Sequence, residues 1–222
     1  MSLIKSISGI RGTIGGKPNE NLTPLDIVRF SAAYGTWIKE SVSHSKKIII
    51  GRDGRISGEM VRNLVVSTLT GIGLDVHDLG LSTTPTVEMA VIGEKAAGGI
   101  IITASHNAQD WNALKLLNSA GEFISSQEGK WILEKAVSDS FVFAPVDKLG
   151  NYVVDNSYQY KHIQAVIDYP LIDLTAIRAK HFKVVIDTIN STGSLFIPPL
   201  LKALGVENIR ILNEEGKRQI CT

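Results

Sequence analysis

Short segments that are apolar, or that alternate apolar and polar residues, recur along this chain between longer segments with helical periodicity. The short segments predict strands, and they lie at residues 46–50, 75–79, 100–102, 113–117, 183–186 and 209–212. The periodic segments predict helices, and they lie at residues 24–42, 57–72, 84–92, 126–137, 160–167 and 194–204. This alternation predicts an α/β fold whose first, layered domain covers residues 1–145.

Residues 146–222 predict a second α/β domain that is incomplete. Residues 141–156 contain Pro145 and Gly150 and are interpreted as a connector. Beyond the helix at 160–167, one helix between two strands is too little to close a layered domain. Unpaired strand edges would be exposed, so oligomerisation through this second domain is possible.

Two helix starts carry capping signals. Thr23 is a predicted N-cap with Pro24 at the first helical position, and Asp26 complements the helix dipole. Ser125 and Glu128 have the spacing of a capping box.

Composition and charge exclude several classes of function. The 222 residues are 44% hydrophobic and 20% charged, and 23 Lys and Arg against 22 Asp and Glu give a net charge of +1. No basic or acidic block indicates nucleic acid or a membrane surface. The single cysteine excludes an intramolecular disulfide, and the five histidines have no zinc-ligand spacing. With no signal peptide and no membrane-spanning run, a cytoplasmic protein is expected, and His162 and His181 are expected at its surface.

Residues 98–117 carry the densest chemical signal. The predicted strand at 100–102 ends in Thr103, Ala104, Ser105, His106 and Asn107. These small and polar residues cannot continue a buried strand, and ligands bind at the carboxyl ends of strands in open α/β sheets. A cation, Lys115, follows ten residues after the serine. Taken alone, the segment is more often a turn whose polar side chains cap backbone groups.

The stretch TASHNAQDWNALKL resembles the phosphoserine loop of the α-D-phosphohexomutases, the family of phosphoglucomutase, phosphomannomutase and phosphoglucosamine mutase. In that family the loop reads Thr-Ala-Ser-His-Asn-Pro, followed by an aromatic residue, Asn-Gly and a Lys. Here Ala108 stands in the place of the proline, Trp111 is the aromatic residue and Ala113 replaces the glycine. The polar residues are unchanged.

Four further segments resemble the family in the same order along the chain. They are residues 8–12, which contain Arg11, and residues 51–58, 80–85 and 184–190. Within the second of them, Asp53 and Arg55 are interpreted as a structural ion pair that holds the loop. Residues 191–193, Ser-Thr-Gly, depart from the usual pattern. The resemblance implies the N-terminal domain I, an α/β/α layer with a mixed sheet, and part of domain II.

The resemblance implies a phosphohexomutase that moves a phosphoryl group between C1 and C6 of a hexose or hexosamine phosphate. Ser105 would carry the phosphoryl group, and Arg11 and Lys115 would bind it and offset its charge. His106 would orient the phosphate or assist proton transfer, and Asn107 would fix the loop or bind the phosphate. The choice among glucose, mannose and glucosamine phosphates stays open.

The family also requires Mg²⁺, which would be bound at Ser105 through its phosphate. The Asp-x-Asp-x-Asp-Arg ligand loop of the family is absent from this sequence, so the 222-residue chain by itself is expected to be inactive. Residues 216–222 are unlike the family. Their back-translation, read one base later, resembles its Asn-Gly-x-Phe segment, so we hypothesise a frameshift that DNA sequencing would test.

Other functions compete with this interpretation. A non-catalytic module that binds phosphate or a partner could use the same fold. A Ser-His hydrolase is disfavoured because no Gly-x-Ser-x-Gly elbow surrounds Ser105. Dinucleotide binding is disfavoured because no Gly-x-Gly-x-x-Gly follows a strand.

Overall fold

A computed structural model describes residues 2–6 and 9–214, which begin with an antiparallel strand pair. Strand β1 (Ile4–Ser6) pairs with β2 (Gly9–Thr13). The sequence pattern does not predict either strand, because GIRGT carries one large apolar residue among two glycines. Residues 216–222, where the frameshift is hypothesised, lie outside the described residues.

The first part of the fold is built around a mixed sheet. Its further elements are, in chain order, α1 (Pro24–Ser41), β3 (Lys47–Arg52), α2 (Gly58–Ile72), β4 (Asp75–Leu81), α3 (Thr84–Gly93), β5 (Gly98–Ile102), β6 (Trp111–Leu117) and α4 (Ser126–Ser138). A seventh strand, β7 (Tyr152–Val154), completes the order β1-β2-β6-β5-β3-β4-β7. Strands β5, β3, β4 and β7 run parallel, whereas β1, β2, β6 and β5 pair antiparallel.

The two faces of the sheet are covered by different helices. Ile48, Ile50 and Ile100 pack in one core with residues of α1, α2 and α4. Ile49 and Ile101, one position along their strands, pack in a second core with residues of α3. Successive side chains of a strand point to opposite faces, so both cores arise from the same apolar runs. The predicted α/β/α arrangement with a mixed sheet is confirmed.

Both predicted helix starts are confirmed. The Thr23 side chain accepts from the Asp26 backbone N–H, and the Asp26 carboxylate accepts from the Thr23 backbone N–H. Ser125 and Glu128 form the same reciprocal capping box at the start of α4. These contacts satisfy N–H groups that the first helical turn leaves without intrahelical partners.

The predicted connector contributes to the first sheet. It contains a 3₁₀ turn (Val146–Lys148) and then β7, which pairs in parallel with β4. The rest of the described chain comprises α5 (Tyr158–Ile167), α6 (Leu174–Ala179), β8 (Lys183–Asp187), α7 (Gly193–Ala203) and β9 (Asn208–Leu212). Strands β8 and β9 form a separate parallel pair. None of the helices in residues 2–6 and 9–214 is long and apolar enough to cross a membrane.

The two histidines that the sequence places at the surface differ. His181 is exposed, as expected. His162 is half-buried, and its Nδ1 lies 2.8 Å from the hydroxyl oxygen of Thr86 on α3. The expectation is therefore wrong for His162, because α5 packs on α3.

A carboxylate at the end of α3 joins this helix to α5. Glu94 accepts a hydrogen bond from the Tyr158 hydroxyl at 2.6 Å. The Nζ atoms of Lys47 and Lys161 lie 2.9 Å and 3.3 Å from its oxygens. The hydrogen bond from Tyr158, and then that from Lys47, lower the pKa of Glu94 to about 2 from an ordinary value of 4.5. These contacts favour the ionised carboxylate in the folded chain.

The junction at Glu94 is expected to weaken in acid. A carboxyl group whose pKa is lower in the folded state stabilises the fold above its unfolded pKa, and the stabilisation is lost as protons bind. For Glu94 this loss falls between about pH 5 and pH 2. Urea unfolding at pH 7 and pH 3 should therefore show a smaller acid-induced loss of stability in Glu94→Gln than in the unmodified chain. The exposed Glu134→Gln variant is the control, and an identical loss in all three proteins would contradict this role.

Candidate functional site

Ser105 occupies a strained and exposed position directly after β5. Its φ is +55°, in the left-handed region that a non-glycine residue seldom adopts. Its backbone N–H donates to the Thr103 hydroxyl at 3.1 Å, and that hydroxyl donates to an Asp53 carboxylate oxygen at 2.6 Å. The backbone of the loop is therefore fixed by Thr103 and Asp53, while the side chain of Ser105 lies at the surface.

The guanidinium of Arg55 binds the backbone of this loop. Its side chain is fully buried, and its Nη atoms donate to four carbonyl oxygens at 2.6–2.9 Å. Those oxygens belong to Ser105, Asn107, Ala108 and Trp111. A planar guanidinium has five N–H donors in a fixed geometry, so one side chain can fix several carbonyl groups.

The fifth donor of Arg55 completes the ion pair that the sequence suggests. Arg55 Nε lies 3.1 Å from Asp53 Oδ2, and the Arg55 backbone N–H donates to Asp53 Oδ1 at 3.0 Å. The Asp53 side chain is 12% exposed. The structural interpretation of Asp53 and Arg55 agrees with this geometry.

A cavity of about 450 Å³ opens beside Ser105. One wall is formed by the loop itself, through Thr103, Ser105 and His106. A second wall is the segment that enters α3, residues 82–85. The N-terminal end of a helix carries a partial positive charge, so this wall favours anions.

The third wall comes from the segment between β8 and α7. Ile189, Ser191 and Thr192 line the cavity, and the Ser191 hydroxyl accepts from the Gly54 backbone N–H at 3.3 Å. Ile189 has φ +45°, an outlier for a β-branched residue. Residues 191–193 of this segment depart from the usual family pattern, and Ser191 and Thr192 face the Ser105 loop across the cavity.

The two predicted cations, Arg11 and Lys115, lie on the sheet next to this cavity. In the sheet register, Arg11 is opposite Ala113, and Lys115 is opposite Ile101. Paired residues point to the same face, so both cations share a face with Ile101, which lines the cavity. Neither cation itself lines it. Arg11 Nε is buried without a hydrogen-bond partner among the described residues.

The contacts of Lys115 lead away from the loop in this structure. Its Nζ lies 5.8 Å from the centre of the Phe123 ring. Burial raises the pKa of the Glu88 carboxyl, and the positive charge of Lys115 lowers that pKa by a smaller amount. The structure thus places Ser105 and His106 at the cavity, and Arg11 and Lys115 on the sheet face of Ile101 without lining the cavity.

Asn107 is fixed through its backbone more than through its side chain. Its N–H donates to the Ala104 carbonyl at 3.1 Å, and its own carbonyl accepts from Arg55. Its side-chain Oδ1 is buried and has no hydrogen-bond partner within the described part of the chain.

The described residues do not fit a magnesium site. They include no group of three or more His, Cys, Asp or Glu residues that could hold a metal ion. Asp53 is the acidic residue that lines the cavity, and its oxygens already accept hydrogen bonds from Arg55 and Thr103.

Sequence reasoning missed two parts of this site. It does not predict that Arg55 reaches the loop carbonyls fifty residues later in the chain, and it does not place residues 82–84 at a cavity with Ser191. Once β3 and β5 are known to pair in parallel, an Asp-x-Arg pair directly after β3 is expected beside the end of β5.

Comparison with known proteins identifies relatives of this chain. The family described as phosphoglucomutase/phosphomannomutase, alpha/beta/alpha domain I, matches residues 3–142. A phosphoglucomutase/phosphomannomutase of Thermococcus kodakarensis is 33% identical over 202 residues, which cover 90% of this chain and 44% of the relative. A phosphoglucosamine mutase of Helicobacter pylori is 32% identical over 212 residues, covering 93% and 45%.

Solved structures agree on the fold. A phosphoglucomutase/phosphomannomutase family protein from Burkholderia thailandensis superposes with a TM-score of 0.77 at 21% identity, covering 96% of this chain and 45% of that chain. At this identity the likeness concerns the fold alone. The chain spans less than half the length of the relatives that it matches.

Proposed function

This chain belongs to the phosphoglucomutase and phosphomannomutase family, and from that premise we propose that Ser105 carries the phosphoryl group of a phosphohexomutase reaction. The observation that carries the proposal is an exposed serine in a left-handed conformation, on a loop whose carbonyl groups are bound by the buried Arg55. Strained residues of this kind are concentrated at functional sites. The non-catalytic alternative is not favoured, because the relatives are named as mutases.

The proposed reaction has two phosphoryl transfers. In the first, the bond between Ser105 Oγ and phosphorus breaks as a sugar hydroxyl oxygen bonds to phosphorus; the sugar hydroxyl gives its proton to a base, and Ser105 Oγ takes up a proton. The bisphosphorylated sugar then turns. In the second transfer Ser105 Oγ gives up its proton and bonds to the other phosphorus, and the bond between that phosphorus and the sugar oxygen breaks as the oxygen takes up a proton. His106, exposed at the cavity, is the candidate for the base.

Charge neutralisation is the main demand of phosphoryl transfer. Arg11 and Lys115 would supply it from the neighbouring sheet face, provided that their side chains turn toward the loop when the phosphoryl group is present. Mg²⁺ would neutralise further charge when bound. The described residues offer it no ligand set, so no step is assigned to it.

Hexose and hexosamine phosphates are the proposed substrate class. The Trp-Asn-Ala stretch that replaces the family's aromatic-Asn-Gly has structural contacts here. Asn112 is fully buried, and its amide donates to the Ser57 hydroxyl at 2.9 Å. Trp111 is the first residue of β6 and pairs with Thr13 of β2. These contacts do not discriminate between glucose, mannose and glucosamine phosphates.

Substitution of Ser105 tests the proposal. We expect a full-length protein that contains this chain to interconvert hexose 1- and 6-phosphates with Mg²⁺, and the Ser105→Ala variant to show no turnover above background. The exposed Ser43→Ala is the matched control and should retain full activity. The 222-residue chain by itself is expected to be inactive in the same assay. Ordinary turnover in Ser105→Ala would overturn the assignment.

A further inference from the structure

A line of hydrogen-bonding side chains runs from α5 to the cavity beside Ser105. His162 Nδ1 lies 2.8 Å from Thr86 Oγ1, in the first turn of α3. Thr86 is fully buried, and its hydroxyl oxygen lies 2.7 Å from that of Thr83. Thr83 is the N-cap of α3 and lines the cavity. His162, Thr86 and Thr83 are called the hydroxyl relay below.

Each hydroxyl in the relay has one proton to donate, so the relay has two directions. When Nδ1 of His162 has no proton, Thr86 donates to it and Thr83 donates to Thr86. The hydroxyl proton of Thr83 is then donated to Thr86 and is not available to an acceptor in the cavity. When Nδ1 carries a proton, His162 donates to Thr86 and Thr86 donates to Thr83. The Thr83 proton is then available to an acceptor in the cavity.

We propose that His162 is a positioning residue that sets the direction of the hydroxyl relay, and thereby whether Thr83 donates a hydrogen bond to a phosphoryl group beside Ser105. The proposal rests on the proposed function of the Ser105 loop, which brings a phosphoryl group to this cavity. Hydrogen bonds to charged acceptors are stronger than those between neutral groups. A phosphoryl group therefore favours the direction in which Nδ1 is protonated.

The surroundings of His162 favour the neutral ring in the absence of an anion. Burial lowers the pKa of His162 below its ordinary value. Helices α3 and α7 pack against α5. The charged residues of α3 and its C-cap are Glu88 and Glu94, and α5 contributes Lys161. Glu94 is paired with lysines, and the charged residue of α7 is Lys202, in its last turn.

Binding is thereby coupled to a proton on Nδ1, which the neutral Nδ1–H tautomer supplies as well as the doubly protonated ring. Where the neutral ring carries its proton on Nε2, binding and protonation are coupled in both directions. If a phosphoryl group stabilises protonated His162, protonation of His162 must strengthen phosphoryl binding by the same factor. A rise of about half a pKa unit corresponds to roughly threefold tighter binding, since one pKa unit is a tenfold change.

The experiment is a pH titration of the histidine rings of the 222-residue chain by NMR, with and without inorganic phosphate at matched ionic strength. Long-range ¹H–¹⁵N spectra report which ring nitrogen is protonated, and His162→Gln assigns the signals. His106 lines the cavity, so its response shows when phosphate is bound. At saturation of that response, the pKa of His162 should rise by about half a unit or more, while exposed His44 is unchanged.

Two threonine variants separate the relay from a general electrostatic effect. Thr86→Val removes the central hydroxyl and leaves the Thr83 cap, and it should abolish the response of His162 while His106 still responds. Thr84→Val is the matched control, because Thr84 lines the cavity outside the relay, and it should retain the response. The proposal would be overturned if phosphate changed neither the pKa of His162 nor the ring nitrogen that carries its proton, if Thr86→Val showed the same response, or if His106 did not respond to phosphate.

The Ser105→Ala variant distinguishes the sources of the phosphoryl group. A response of His162 to free phosphate in this variant supports the relay independently of phosphoserine. The relay would then stand even if Ser105 were never phosphorylated. If Ser105 is phosphorylated but the pKa of His162 is the same in both forms of the protein, the relay is contradicted while the proposed function stands.

Discussion

Replacement of Arg55 by methionine is expected to destabilise the fold by about 3–5 kcal/mol, the range for breaking a buried ion pair by removing one partner. The substitution leaves Asp53 without its cation and four loop carbonyl groups without their donors. Each buried polar group left unsatisfied adds a further desolvation cost. Urea unfolding of the purified variant and the unmodified chain measures the difference.

Two other substitutions show whether the cause is the geometry of the guanidinium. Arg55→Lys retains the charge but offers three donors from one nitrogen, so it should recover only part of the stability. Arg29 forms an exposed ion pair with Asp139, and Arg29→Met should cost less than about 1 kcal/mol. A loss in Arg55→Met no larger than that in Arg29→Met would contradict the role assigned to Arg55.

Replacement of Lys115 by methionine is expected to lower turnover on the order of 100-fold in a full-length protein, since removal of one group that stabilises transition-state charge has this typical effect. The expectation rests on its position opposite Ile101, on the sheet face next to the cavity. The loss should fall on kcat more than on KM if the charge acts mainly in the transition state.

A second lysine and a stability measurement make the Lys115 experiment specific. Lys130 is exposed near Glu134 on α4, and Lys130→Met should leave turnover unchanged. The urea unfolding midpoint of Lys115→Met should stay close to that of the unmodified protein. The described contact of the Lys115 ammonium group is with the Phe123 ring, and a methionine side chain can also pack against that ring. Turnover within threefold of the unmodified enzyme would show that Lys115 does not serve the reaction.

Local patterns were sufficient for most of the fold. The apolar runs that become β3 and β5 are recognisable because both faces of these strands are buried. The N-cap signal at Thr23, followed by Pro24, marks the start of α1. In contrast, β7 has three exposed residues and forms a strand only because β4 offers a free edge. No local pattern could indicate that pairing.

The candidate site was predictable in its residue types and less so in its contacts. Motif resemblance identified Ser105 and His106, which the structure places at one cavity. The contacts that hold the loop join Arg55 to residues 105–111. The burial of His162 depends on the packing of α5 on α3. The contacts of Arg55 and the burial of His162 depend on tertiary packing, which the spacing of residues along the chain does not predict.

Phosphopeptide mass spectrometry tests the central claim most directly. The purified protein would be digested before and after incubation with a hexose 1,6-bisphosphate and Mg²⁺, and the peptide that contains Ser105 would be sequenced by fragmentation. We predict a phosphoryl group on Ser105 that increases on incubation and is absent from Ser105→Ala. Phosphorylation of another residue with Ser105 unmodified, in protein that is active as a mutase, would contradict the account.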